Sequence, residues 1–252
     1  MRLSPAVLAA QLAEVVDRSG WDFSPVHDAR DPVPWDWGAL VSLYLHPTDH
    51  VLDVGTGGGE HFLALASQFA RGLGGDVDPA MIATAQHNRA VVGVTNVAFD
   101  LLDAHALALA DASFDVVLNR HCSVDVAETL RVLRPGGRFI TQQVADRNME
   151  CLLSAFGWTS ESFGPDWWQP VATLASAFEA AGAFVESCST YNVCYWFLDI
   201  PSLLFWLKAV PLPEPFDPDR HWEAVNRVLA TCATPRGIET NEHRDLLIVR
   251  KL

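Results

Sequence analysis

From residue 50 onward, short unbroken apolar runs alternate with stretches whose apolar positions recur every third or fourth residue. The runs VLDVG (51–55), GLGGDVD (72–78), VAFDLLDA (97–104), FDVVLN (114–119) and GRFITQQV (137–144) have the length of buried strands. Between them EHFLALASQFA (60–70), PAMIATAQHNRA (79–90) and VDVAETLRVLRP (124–135) carry the helical period. Strands alternating with helices predict an α/β fold, a parallel sheet with helices on both faces. Upstream, Ser4 as N-cap, Pro5 in the first turn and Leu8, Leu12, Val15 and Val16 on one face predict a helix ending at Gly20. WDFSPVHDARDPVPWDW (21–37) has too many prolines for a regular element, so it is expected to be an ordered loop that adds no strand. Downstream, helices are predicted at 171–182, 202–210 and 219–232, with an apolar run at 184–197 and a closing strand at 245–252.

No internal repeat, low-complexity tract or linker interrupts the chain. The expectation is therefore a single domain over 1–252, with an N-terminal cap (1–40), a core (49–145) and a C-terminal half (146–252) carrying substrate-side insertions. Half of the residues are hydrophobic, which excludes intrinsic disorder. Seventeen Lys and Arg against 31 Asp and Glu leave a formal charge of −14, the opposite of a phosphate-backbone binder. The five cysteines (122, 151, 188, 194, 232) are odd in number and form no CxxC pair, which points away from a disulfide framework and toward a reducing interior. The opening MRLSPAVLAAQLA has too short an apolar core for a signal peptide, and no run reaches membrane-span length. The expected location is the cytoplasm.

Candidate chemistry gathers where strands end. VLDVGTGGGE runs from a strand into Gly55, Gly57, Gly58 and Gly59 and then a helix, so the backbone turns tightly and admits a ligand. A dinucleotide loop G-x-G-x-x-G would need glycine at 60, where Glu60 stands, so a pyrophosphate ligand is disfavoured. Asp76 closes the next strand, where a carboxylate can accept both hydroxyls of a ribose, and Asp103-Ala104 closes the third, where a carboxylate can take an adenine amine. HPTDH (46–50) has two histidines, but Pro47 excludes a helical metal face. There is no G-x-S-x-G elbow and no P-loop.

Taken together, LDVGTGGG (52–59), GDVDPAM (75–81), LDAHALALADASFDVVLNRH (102–121) and RVLRPGGRF (131–139) resemble the class I S-adenosylmethionine-dependent methyltransferases, in the small-molecule branch often labelled type 11. The resemblance implies a Rossmann-like, doubly wound, mostly parallel seven-stranded sheet with helices on both faces. It also implies S-adenosylmethionine as cofactor and S-adenosylhomocysteine as product. Gly55, Gly57 and Gly59 would line the methionine portion, with Thr56 and Glu60 beside its amino acid group, and Asp53 would belong to the same cofactor site. Asp76 would hold the ribose, Val77 and Met81 would pack on adenine, and Asp103 with Ala104 would meet its edge. Asn119, Arg120 and His121 would face the donor methyl, and NRHC (119–122) replaces the Asp/Asn-Pro-Pro-aromatic signature of base and glutamine methylation.

Two departures accompany it: Asp78 where many relatives carry Ser, and the doubled Gly74-Gly75, expected to loosen the second strand. His121 is the candidate general base, with a hydrogen-bonding role as the alternative. Gln142 or Gln143 would bond an acceptor. Trp35 is the candidate lid residue touching ligand; Trp167-Trp168, Tyr191, Tyr195 and Trp196 lie where insertions could cover the pocket, while Trp206, on an apolar helix, is expected in the core. The cap is expected to cover the carboxyl edge of the sheet, and its removal to leave a foldable core without transfer activity. The expected partner is a small-molecule acceptor. An rRNA or tRNA acceptor, or a protein that binds the cofactor without methylating, remains open.

Overall fold

The computed structural model describes residues 2–164 and 169–252, so Trp167 and Trp168 lie outside the described residues. The chain starts with helix α1 (Pro5–Ala13), strand β1 (Asp28–Arg30) and helix α2 (Trp37–Ser42). The alternating core follows: β2 (His50–Val54), α3 (Glu60–Ala64), β3 (Arg71–Asp76), α4 (Pro79–Val92), β4 (Val97–Leu101), β5 (Phe114–Arg120), α5 (Val126–Val132) and β6 (Leu133–Val144). The last third comprises α6 (Glu150–Phe156), α7 (Val171–Ala180), β7 (Ala183–Phe197), α8 (Ile200–Ala209), α9 (Pro218–Thr231), β8 (Ala233–Thr234) and β9 (Gly237–Lys251). Among the described residues no helix is long and apolar enough to cross a membrane.

The strands form one sheet in the order β1-β7-β9-β6-β5-β2-β3-β4, with β8 paired to β9. The pairs β2–β3, β3–β4, β2–β5 and β5–β6 are parallel, and β9 runs antiparallel to both β6 and β7. Six of the seven long strands therefore point the same way, as the doubly wound reading requires. The two strands beyond the expected seven are the short β1 and β8. Side chains alternate between the faces of this sheet, as the two-residue period dictates. Val51, Val116, Leu118, Ile140 and Ile248 pack with Trp37, Val41, Phe62, Ile82 and Ala85. On the other face Leu52, Val117, Phe139, Leu247 and Val249 pack with Val132, Leu174 and Phe178. A third cluster joins Leu8 of α1 and Leu152 of α6 to Leu203, Leu204, Val225 and Val228 of α8 and α9, over the outer ends of β7 and β9.

Several boundaries differ from the expectation. Helix α1 stops at Ala13, capped by Glu14, and Val16 is exposed rather than on the buried face. The proline-rich cap does add a strand: residues 26–31 are free of proline, and Asp28, Ala29 and Arg30 pair with Phe197, Trp196 and Tyr195 at the sheet edge. Trp37 opens a helix whose N-cap Asp36 accepts from Ala39 N at 3.0 Å, and the ring is buried in the core. Helix α5 ends at Val132, and the RPGG segment that follows forms an irregularity in β6, where the register passes from Phe114/Leu133 to Val116/Arg138. Gly74 and Gly75 do not loosen β3. A Cβ at either would lie 2.5 Å from Phe99 Cδ1 or 2.4 Å from Leu102 Cδ1, so the glycines let these side chains pack directly on the strand. The cap is no separable lid, because Leu3, Leu8, Val15 and Trp37 are buried in the clusters that hold the sheet and its helices.

Candidate functional site

At the carboxyl end of β2 the backbone enters the left-handed region at Gly55 (φ +74°) and again at Gly57 (φ +57°) and Gly59 (φ +75°). Gly55 N and Thr56 N both donate to Gly75 O, at 2.8 and 2.9 Å, which ties the loop to the end of β3. Inside the turn, Thr56 Oγ1 donates to Asp53 Oδ2 at 2.7 Å. Asp53 is buried, and burial pushes its carboxyl up to about 7 against the hydrogen bond from Thr56 and the attraction of Arg120. The folded state therefore holds a proton that an unfolded Asp has lost, and the contribution of Asp53 to stability is expected to fall as pH rises from about 4 to about 7. Asp53→Asn should remove that fall. Wild-type and variant unfolding midpoints that track each other across this pH range would overturn the assignment.

Asp76 closes β3 with each carboxylate oxygen anchored: Oδ2 accepts from Gly57 N at 2.9 Å and Oδ1 from Asp78 N at 3.0 Å. Two backbone donors fix its direction, and its remaining lone pairs face the cavity that it lines with Met81. Over the glycine loop lies the cap. Trp21 N donates to Glu60 Oε1 at 3.2 Å, and a Cβ at Gly57 would stand 2.2 Å from Trp21 Cδ1, so the indole rests on the loop backbone. The Arg18 guanidinium covers that indole at 3.8 Å and keeps Nη1 buried without a hydrogen-bond partner among the described residues.

At the end of β5 three consecutive residues take different directions. Asn119 is 1% exposed, and its amide donates to Ser123 O at 3.0 Å while Oδ1 accepts from Thr141 Oγ1 and Gln143 Nε2. It holds the loop after β5 from within the sheet rather than facing a ligand. Gln143 is consumed by the same cluster. Arg120 lines the cavity. His121 lies in the left-handed region (φ +58°), and its ring, enclosed by protein, shows its accessible surface to the cavity.

A chain of donors fixes His121. An indole N–H can only donate, so Trp35 Nε1, 2.9 Å from Gln142 Oε1, sets the orientation of that amide. Gln142 Nε2 must then donate to His121 Nε2 at 3.2 Å, which leaves the ring proton on Nδ1. Burial, with the charges of Arg120, Arg244 and His61, holds the imidazole well below its ordinary value, so it is neutral at pH 7 and a weak proton acceptor. Trp35 therefore stands behind His121, edge-on to Tyr191 at 4.7 Å, and is not among the residues lining the cavity.

A cavity of about 1000 Å³ joins these parts. Asp53, Gly55, Glu60, Asp76, Met81, Arg120 and His121 meet on its wall. Thr56, Gly57 and Gly59 form the backbone behind it, whereas Val77 is 68% exposed outside it. Asp103 accepts from His105 N in the loop after β4, and Ala104 is buried in the core beneath. Tyr195 and Trp206 reach the cavity, while Tyr191 and Trp196 do not.

The far wall holds residues that the sequence reading missed. Antiparallel β9 brings its first half to the carboxyl edge of the parallel strands, where Arg244 pairs with Val144. Arg244 donates to Asn148 Oδ1 and His243 O and stands 3.6 Å from Glu242, which also takes Tyr191 OH and Arg30. Burial and then Arg244 push Arg120 down to about 10, still charged at neutral pH, and burial with Arg120 pushes the His61 beside it down to about 4. Alternation along β9 was the available signal, but its buried positions include Thr240 and Glu242 beside Ile238, so no apolar pattern marks them.

Comparison with known proteins gives this geometry a family. A family model described as a methyltransferase domain matches residues 45–181, more than half of the chain. An arsenite methyltransferase of Halobacterium salinarum is 38% identical over 142 residues, 51% of this chain and 36% of that protein. A ribosomal protein L11 methyltransferase of Geobacillus thermodenitrificans is 37% identical over 108 residues, 41% of this chain and 35% of its own length. The matched stretches thus span only about a third of these relatives. Among solved structures the YcgJ protein of Bacillus subtilis superposes with a TM-score of 0.61 at 18% identity, covering 85% of this chain and 97% of that one.

Proposed function

The chain belongs to the methyltransferase domain family, and on that premise we propose that it transfers the methyl group of S-adenosylmethionine to a small-molecule acceptor bound beside Arg120 and His121. The observation that carries this reading is the single cavity running from the glycine loop and Asp76 to Arg120, roofed by cap residues 18–28 and by residues 206–212. Its volume lies at the top of the range of about 300–1000 Å³ typical of small-molecule sites, room for a nucleoside cofactor and a modest acceptor together. The net charge of −14 argues against a nucleic-acid acceptor. The two named relatives act on unrelated acceptors, so neither acceptor carries over.

The residues present fit the cofactor. Gly55 brings the loop backbone to the cavity wall without a side chain, and the anchored Asp76 carboxylate keeps acceptor lone pairs for a ribose diol. When bound, S-adenosylmethionine supplies an electrophilic methyl on a sulfonium. The chain's share is alignment and exclusion of water, and holding reactants in line contributes about 7–11 kcal/mol to such reactions. The cap rings at Trp21 and Phe23 roof the cavity against solvent. His121, neutral and donating from Nδ1, serves as a positioning residue rather than a general base.

Calorimetry with S-adenosylhomocysteine tests the reading. Asp76→Ala is expected to weaken binding by about 1.5–3 kcal/mol, the usual range for hydrogen bonds to a charged group. Unchanged affinity would remove Asp76 from the site. Thermal stabilisation by NAD equal to that by S-adenosylhomocysteine would overturn the assignment as a whole, because Glu60 stands where a pyrophosphate loop needs glycine.

A further inference from the structure

The Arg120 side chain makes no hydrogen bond and no ion pair with any described residue, although its Nε is buried and the residue lines the cavity. A charged, donor-rich group left this way in a protein interior is costly unless a ligand satisfies it. Its surroundings sharpen the point. Arg30 and Arg244 are matched by Glu242 and by Asp28, whose charge acts on Arg30, while His61 and His121 are neutral at pH 7. Glu242 and Asp53 act on Arg120 only through space, so it is the one cation of this wall with no carboxylate in contact.

We propose that Arg120 is the anchor for a monoanionic acceptor, a small monocarboxylic acid with an apolar body. The guanidinium fork matches a carboxylate in two parallel hydrogen bonds, and the nearby carboxylates of Glu242 and Asp53 repel a phosphate dianion more than a monoanion. The apolar body is provided for by Met149, Leu153, Tyr195, Trp206 and Leu212, which line the same cavity. A second cation with an unpartnered buried nitrogen, Arg18, stands against Glu60 and Trp21 over the glycine loop and lines the same cavity. This assignment rests on the proposed reading of the cavity as cofactor and acceptor site, and it moves Arg120 from the cofactor to the acceptor.

The test is calorimetry on the full chain saturated with S-adenosylhomocysteine, using octanoate and 3-phenylpropanoate as probes. The matching neutral amides and phenyl phosphate serve as controls. The carboxylates are expected to bind at least tenfold more tightly than their amides and than phenyl phosphate. Arg120→Gln should abolish that preference, Arg120→Lys should retain part of it, and S-adenosylhomocysteine affinity should stay within about twofold in both. Equal binding of acid and amide, preference for the phosphate, or a parallel loss of S-adenosylhomocysteine affinity in Arg120→Gln would overturn the proposal. If the wild-type protein binds no S-adenosylhomocysteine, the failure lies with the proposed function instead. Both variants remove or keep a charge that has no partner in the fold, so a far-ultraviolet circular dichroism melt like that of the wild type is expected and separates binding from folding.

Discussion

A chain lacking residues 1–38 is expected to lose its cooperative unfolding transition, not merely its ligand. Leu3 and Leu8 are 3% and 0% exposed, Val15 is buried beside them against α8 and α9, and Trp37 is buried against the sheet. Each such side chain contributes about 1.5–3 kcal/mol on burial, so four are worth roughly 6–12 kcal/mol. That equals much of the net stability of about 5–15 kcal/mol typical of a folded protein. The segment is also tied by polar contacts: Leu3 N donates to Asn226 Oδ1 at 2.7 Å, Asn226 returns a bond to Leu3 O, and His27 N donates to Ser202 Oγ at 2.9 Å. Trp21→Ala separates the cap's two duties, because that ring is 37% exposed and rests on Gly57. It should melt near the wild type yet bind S-adenosylhomocysteine several-fold more weakly. A truncated chain that still melts cooperatively would show that the cap is accessory.

The parallel half of the sheet was legible because its signals are local. β2, β3, β5 and their helices follow from apolar runs and three-residue spacing, and the glycine loop and Asp76 follow from residues adjacent in sequence. The cap was misread for the opposite reason. Proline content set an expectation of loop, whereas six proline-free residues sufficed for pairing with β7 once tertiary structure placed them at the edge. β9 was legible only in its apolar half, 245–252; six of its first eight residues are polar, and two of these, Glu242 and Arg244, stand on the cavity wall.

The site shows the same division. His121 was singled out by its place after a strand, but its role depends on Trp35 and Gln142, which lie 86 and 21 residues away. Only in three dimensions does the donor-only indole decide the amide and hence the tautomer, on which the proposed positioning role rests. Arg120 and Arg244 are 124 residues apart, and only the antiparallel insertion of β9 beside β6 sets their charges against each other.

The glycine loop carries the second large effect. Gly55→Ala forces a Cβ into a left-handed position, which costs about 1–2 kcal/mol, and places it 2.4 Å from Cys122 Cβ, closer than real atoms pack. Overpacking of this kind adds about 1–3 kcal/mol. The loops after β2 and β5 must then separate, and these loops carry Gly55 on one side and His121 with Cys122 on the other side of the cavity wall. Gly55→Ala should therefore lower stability by about 2–5 kcal/mol and reduce S-adenosylhomocysteine affinity at least tenfold. Cys122→Gly removes the obstructing Cβ and leaves its Cα at an ordinary 3.9 Å from the new methyl. In a double-mutant cycle the pair should thus recover the steric part of the loss and much of the binding, while the backbone strain remains. Chemical denaturation and calorimetry on the four proteins read both quantities. If Gly55→Ala is as damaged with Cys122→Gly as without it, contact between the two loops does not shape the site.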